Sequence, residues 1–409
     1  MELIQIRIDH TIQIAEDGDY GHRRFKLTTP LMPGDSIRME FAMKYSWNAF
    51  NRHDPMNAMI ANGSFMRISR YYPIFGYQSQ NEIEDPMERV NRKLGIATPL
   101  KKLEQQDRFP YNYGYIDLET TISSDSDQTC IATGEFVQKW KKNNRNFFRY
   151  KSAMPIPFRF GISSADYVLE RSSYEDISIE IYYDRKHTEN VRQLLDETKK
   201  ALVYCENNFG KYPFKSIRFV EISGFTSGFN ATAYPGTIFM NENMTFHSDL
   251  RREKTRDVIN ELAGHELSHQ WWGNSQIDPD DKREGATMLT ETLAMYTELM
   301  LYKHKHGREA MKNMIKMYQD LYEIGKANST DEALSRVSPG NTNVSYHKGL
   351  LAMYQLHELI GEEKINKALK AFLNRYAFPN QPPTSMDLIR EFQKVSNPVL
   401  EDRIRKLFM

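Results

Sequence analysis

The apolar positions of this 409-residue chain change period once, and that change limits the folds open to it. Up to about residue 172 they alternate with polar ones. Ile4, Ile6 and Ile8 do so, as do Ile37, Met39, Phe41 and Met43. A period of two puts one face of a strand on a core. Tyr113 to Ile122 and Thr129 to Val137 are further strand-like runs, and the polar stretch Gln78 to Arg108 is read as an insertion with some helix. Beyond Ser172 the pattern differs. Ile177, Ile179 and Ile181 mark a strand. Val191, Leu194, Leu195, Thr198 and Leu202 then fall at helical spacing, with Gly210 as a C-terminal cap. Ile217 to Ile222 is strand again. Helices are expected at about 254–274, 286–304, 307–326, 346–360, 362–377 and 385–396, the last capped by Thr384 with Asp387. The expected fold is α+β, with a β-rich domain over residues 1–172 and an α/β-to-α domain over residues 173–409.

Composition narrows the function classes. The chain has 54 basic and 54 acidic residues, so no global field favours nucleic acid or an anionic membrane. Two cysteines, Cys130 and Cys205, are too few for a disulfide framework or a cysteine metal site. The uncharged stretch Gly224 to Asn241 is interrupted by Gly, Pro, Ser, Thr and Asn and does not meet the requirement for a membrane span. MELIQIRIDH lacks the pattern of a signal peptide, so the expected location is cytoplasmic, or that of a part cut from a longer protein.

One stretch carries chemistry. In HELSHQWWGN, His265 and His269 lie four apart and share a helix face, so both imidazoles can reach one ion. Glu266 borders the open coordination position, where it can take a proton from attacking water and deliver it to a leaving amine. Two histidines leave a catalytic zinc short of its usual three protein ligands. LTETLAMYTELM supplies Glu291, flanked by Leu289, Leu293 and Tyr296 on a helix read as amphipathic. The intervening Asp278, Pro279, Asp280 and Asp281 suit a turn between the two helices. Glu298 lies seven positions after Glu291 on the same face. It is either a carboxylate that orients a ligating histidine or a solvated charge.

HELSHQWWGN resembles the zinc helix of the gluzincin aminopeptidases, the family of aminopeptidase N and leukotriene hydrolase, and LTETLAMY resembles the family's second helix. The resemblance implies a β-rich, saddle-like N-terminal domain, a thermolysin-like catalytic domain and one Zn2+ held by His265, His269 and Glu291. In this chain 21 residues separate His269 from Glu291, a few more than is usual in the family; the Asp278–Arg283 loop accommodates them. SYHKGLLAMYQL resembles the family's Tyr-x-Lys-Gly stretch and implies an oxyanion-stabilising role for Tyr346. GTIFMNE, Gly236 to Glu242, resembles the strand that aligns substrate, placing Ala233, Tyr234, Gly236 and Thr237 along the substrate. The family's amine-binding glutamate position is Ala233, which cannot hold an α-ammonium, and Glu242 is far along the strand from it. HELSHQWWGN with LTETLA and ATAYPGTI resembles the peptidase portion of bacterial proteins that fuse a permease to such a peptidase, and the resemblance implies a permease portion in the same polypeptide.

The leading expectation is a zinc metallopeptidase acting on peptide substrates without strict aminopeptidase specificity. The alternative is a catalytically weak or inactive zinc-stabilised module that binds peptides within a larger membrane complex. Epoxide opening, which one family member performs, has no residue that singles it out here.

Overall fold

The structure, a computed structural model, describes residues 2–9, 11–17, 23–46, 50–51, 53, 57–73, 83, 86–96, 99–105, 114–226, 230–243, 246, 257–273 and 275–409. These fall into two compact units, Met1–Asn51 and Arg52–Met409. In the first, β1 (Glu2–Ile8) pairs antiparallel with β4 (Met39–Lys44), and β2 (Thr11–Asp17) with β3 (Arg23–Leu27). Along β4, Met39, Phe41 and Met43 are half-buried and their neighbours exposed, as alternation requires. Ile4 departs from that pattern: its side chain is exposed.

The second unit begins with β structure. β5 (Ser64–Met66), β10 (Ile162–Ala165) and β7 (Thr129–Ala132) form one sheet; β6 (Glu119–Asp125), β9 (Arg145–Lys151) and β8 (Glu135–Lys142) form another. The single strand expected from Thr129 to Val137 is therefore two. Gly134 has a φ of +108°, and the chain turns there from β7 into β8. Within the polar stretch, the short helix α1 (Pro86–Asn91) appears; much of the rest, and Tyr113, lie outside the described residues.

Five strands form a further sheet: β11 (Val168–Tyr174), β12 (Ile177–Tyr183), β13 (Ser216–Ile222), β14 (Ala231–Tyr234) and β15 (Thr237–Asn241). Their order is β11-β12-β13-β15-β14. β12, β13 and β15 run parallel in the centre, and β11 and β14 close the edges antiparallel. Every residue of β13 and β15 is buried, as in strands covered on both faces, although Arg218 and Glu221 are charged. Ser172, the expected boundary, sits inside β11 opposite Ile179.

α2 (Val191–Asn208) packs on this sheet, and Gly210 N donates to Cys205 O just past its end. The helices after Asp257 begin and end differently from the sequence reading. Residues 254–256 lie outside the described set. α3 (Val258–Asn260) starts where Asp257 accepts from Asn260 N, and it passes directly into a wide π-helical turn, Glu261–Glu266. The helix ends by Ser268 rather than 274, because Gly273, with φ +102°, lets the chain turn back and pair Trp272 with Ile277. A 3-10 turn, Ala286–Leu289, precedes α4 (Glu291–Gly325), which breaks at Gly307, where the second of two expected helices, 307–326, was to begin. A second π-helical turn, Asn343–Lys348, leads into α5 (Gly349–Ile360); α6 (Glu362–Tyr376), α7 (Ser385–Lys394) and α8 (Glu401–Lys406) complete the chain. At α7, Thr384 and Asp387 form the reciprocal cap read from sequence.

The motif tryptophans explain themselves here. Trp271 and Trp272 are fully buried, and Trp271 Nε1 donates to Gly210 O at 2.9 Å. They anchor the His265–His269 turn to the end of α2, burying large apolar area on both sides.

Candidate metal centre

His265 and His269 leave the same face of the helical turn, as their spacing requires. Glu291, first residue of α4, meets them from the side. One nitrogen of each ring and one Glu291 oxygen lie within 4.8 Å of one another. His265 Nε2 is 3.4 Å and His269 Nε2 3.5 Å from Glu291 Oε2. The π-helical turn matters to this arrangement, since wide turns re-aim side chains and occur often at functional sites. Gly264 brings the two helices together: a Cβ there would meet Leu301 Cδ1 at 2.9 Å.

The hydrogen bonds decide what the pocket accepts. His269 Nδ1 lies 2.8 Å from Trp272 O, and a backbone carbonyl only accepts. Nδ1 therefore carries the proton, and Nε2 presents a lone pair. His265 Nδ1 lies 3.4 Å from Glu298 Oε2, which selects the same tautomer. Glu291 Oε2 is buried and takes no hydrogen bond of normal geometry. Two nitrogen lone pairs and a carboxylate oxygen facing one point need a cation between them. This donor set fits zinc with three protein ligands.

The electrostatics agree. Burial disfavours a charged His265, but Glu291 and Glu298 outweigh it and raise its pKa to about 10. Burial pushes Glu291 upward, yet His269 and His265 prevail and hold it well below the ordinary carboxylate range. The pocket therefore draws positive charge, either a proton on His265 or a metal ion that displaces it. Burial raises the Glu266 pKa, as suits a group that takes and returns a proton. Tyr346, in the second π-helical turn, stacks on His265 with ring centroids 5.7 Å apart. Burial, then the nearby Glu291, pushes its hydroxyl pKa upward, so it stays a neutral donor. Thr292 Oγ1 donates to Ser345 O at 2.6 Å and ties that turn to α4.

Glu298 is 2% exposed, so it is not a solvated charge. The start of α4 is not amphipathic either. Thr292 through Tyr302 are buried without interruption, because this segment is enclosed by the motif helix, α2 and α5. Ala233, Tyr234, Gly236 and Thr237 lie in or between β14 and β15, all buried. The Ala233 side chain is 2% exposed and packs into the main core. Glu242 turns elsewhere: its carboxylate accepts from Ser223 Oγ and Gly224 N. Asn274, the last motif residue, lies outside the described residues.

Sequence reading assigned no role to Gln270. Its amide donates to Tyr234 O at 3.1 Å and accepts from Gly236 N at 2.9 Å. It thereby clamps the β14–β15 turn to the His265–His269 segment. Its place in HELSHQWWGN was the only signal, and its partners are backbone groups far away in sequence.

Residues 193–409 match the Peptidase family M1 domain. The chain belongs to peptidase family M1. It is 21% identical over 287 residues to aminopeptidase N of Escherichia coli (strain K12), covering 65% of this chain and 31% of that protein. It is 23% identical over 246 residues to glutamyl aminopeptidase of Mus musculus, covering 57% and 25%. The chain thus spans about a third or less of the curated relatives it matches. The M1 zinc metallopeptidase from Deinococcus radiodurans shares the fold, with a TM-score of 0.64, 16% identity and coverage of 100% of this chain and 84% of that one. Among the described residues, no helix is long and apolar enough to cross a membrane.

Proposed function

We propose that this member of the M1 family hydrolyses peptide bonds with one zinc ion held by His265, His269 and Glu291, and that it does not depend on a free substrate amine. The observation that carries this is the buried Glu291 oxygen facing two imidazole nitrogens whose opposite nitrogens are already engaged. Zinc bound there would lower the pKa of water and polarise the scissile carbonyl. Glu266 takes the proton of the attacking water and returns it to the leaving amine. Tyr346 donates a hydrogen bond to the oxyanion, a contact typically worth about 3–4 kcal/mol in the transition state. The β14 edge, held by Gln270, aligns an extended peptide as an added strand.

Ala233 supports the relaxed specificity, because a buried methyl offers an ammonium nothing. Losing a charge-assisted contact of that kind typically costs about 1.5–3 kcal/mol. The same substitution supports the second reading, a zinc-stabilised module that captures peptides without cutting them. On the sequence resemblance, either activity would be joined to a permease portion of a longer polypeptide. The deciding experiment sets amino-acid amides beside internally quenched peptides, with Glu266→Gln as control. Cleavage of internal peptides that Glu266→Gln abolishes while keeping its zinc supports the proposal. Turnover retained by Glu266→Gln refutes its role, and tight peptide binding without cleavage favours the module.

A further inference from the structure

The three central parallel strands end around one small cavity: Glu221 and Glu242 line it, and His187, beyond the end of β12, contacts Glu221. His187 follows β12, Glu221 lies near the end of β13, and Glu242 immediately follows β15. One donor atom from each lies within 4.8 Å of the others. The cavity, about 30 Å3, is lined by Asp166, Tyr167, Asp184, Glu221, Ser223 and Glu242. That is room for a single ion or water. The carboxyl ends of parallel strands are where open α/β sheets build ligand sites, since successive loops converge there.

The heads of these side chains are fixed by donors. Asp184 N donates to Glu221 Oε2 at 2.8 Å, and His187 Nδ1 contacts Glu221 Oε1 closely. Gly224 N and Ser223 Oγ donate to Glu242 Oε1 at 2.7 and 3.0 Å. Glu221 is 4% exposed, and two carboxylates set this close repel each other. Burial raises the Glu221 pKa to about 7, with Glu242 adding to the rise. None of these groups belongs to the His265–His269–Glu291 centre.

We propose that His187, Glu221 and Glu242 form a second divalent-metal site, suited by its one nitrogen and two carboxylate donors to Zn2+ or Mn2+. The ion would neutralise the carboxylate pair and bind together the ends of β12, β13 and β15. Because Glu242 also holds Ser223 and Gly224, the ion would fix the start of the segment that leads into β14.

The test counts metal. Stripped protein is titrated with Zn2+ alone and with Mn2+ alone, desalted and assayed by elemental mass spectrometry, with circular dichroism confirming the fold. Wild type is expected to retain two equivalents of at least one of these metals, and both His265→Ala and Glu242→Gln one each. In the His265→Ala background, that metal should raise Tm, and adding Glu242→Gln should remove the rise. Wild type holding one equivalent of either metal, lost in His265→Ala and unchanged in Glu242→Gln, overturns the second site while leaving the first intact. If Glu242→Gln does not fold, the wild-type and His265→Ala counts decide alone.

Discussion

Glu298 should set zinc affinity without touching the ion. Its Oε2 is 3.4 Å from His265 Nδ1, and the side chain is 2% exposed. Glu298→Gln keeps the shape and leaves a weaker acceptor facing Nδ1. Carboxylates that orient ligating histidines are typically worth about 10–100-fold in metal affinity, or roughly 1.4–2.7 kcal/mol. The glutamine variant belongs at the low end, near tenfold. Glu298→Leu also strands a buried Nδ1–H, at a further cost of about 1–3 kcal/mol, so it belongs at or beyond the high end. Competitive chelator titration measures both, with circular dichroism as the control for folding. Wild type, glutamine and leucine should weaken in that order. A folded Glu298→Leu that binds zinc as tightly as wild type refutes the tautomer argument and the role given to Glu298.

Gln270→Ala removes the side-chain partner of buried Gly236 N and one partner of Tyr234 O, at about 1–3 kcal/mol for a stranded buried group, so Tm should fall and KM for peptides should rise; an unchanged Tm contradicts the clamp. Asp278 has its pKa raised to about 7, chiefly by burial and then by Asp281. A carboxyl that is raised on folding ionises more readily unfolded, so its contribution declines as pH rises from about 4 to 7, by on the order of 4 kcal/mol at most. Asp278→Asn should raise Tm above wild type at pH 8 and scarcely at pH 4; equal gains at both pH values would refute burial as the cause.

The spacing of His265, His269, Glu291 and Glu298 is legible in the sequence because helical periodicity is local. Four-residue and seven-residue repeats pair His265 with His269 and Glu291 with Glu298 on shared faces, while the loop between the two segments and the packing of α4 on the first bring Glu291 to the histidines. The end of the motif helix was less legible. Gly273 reverses the chain only because Trp271 and Trp272 have a core to enter, and that core includes α2 and Phe209. The amphipathic reading of α4 failed for a related reason: its polar residues Thr292, Thr297 and Glu298 find partners or metal-site neighbours inside the protein rather than water. The π-helical turns at Glu261–Glu266 and Asn343–Lys348 leave no mark on composition, yet they aim His265 and Tyr346. The His187–Glu221–Glu242 cluster was invisible because sheet order, not sequence distance, assembles it.

The most direct test of the central claim is anomalous diffraction at the zinc edge from zinc-loaded crystals. A peak bonded to His265 Nε2, His269 Nε2 and a Glu291 oxygen, at about 2.0–2.2 Å from each, is expected. Zinc-loaded crystals with no density between those three side chains, or with one of them turned away from the ion, would contradict it.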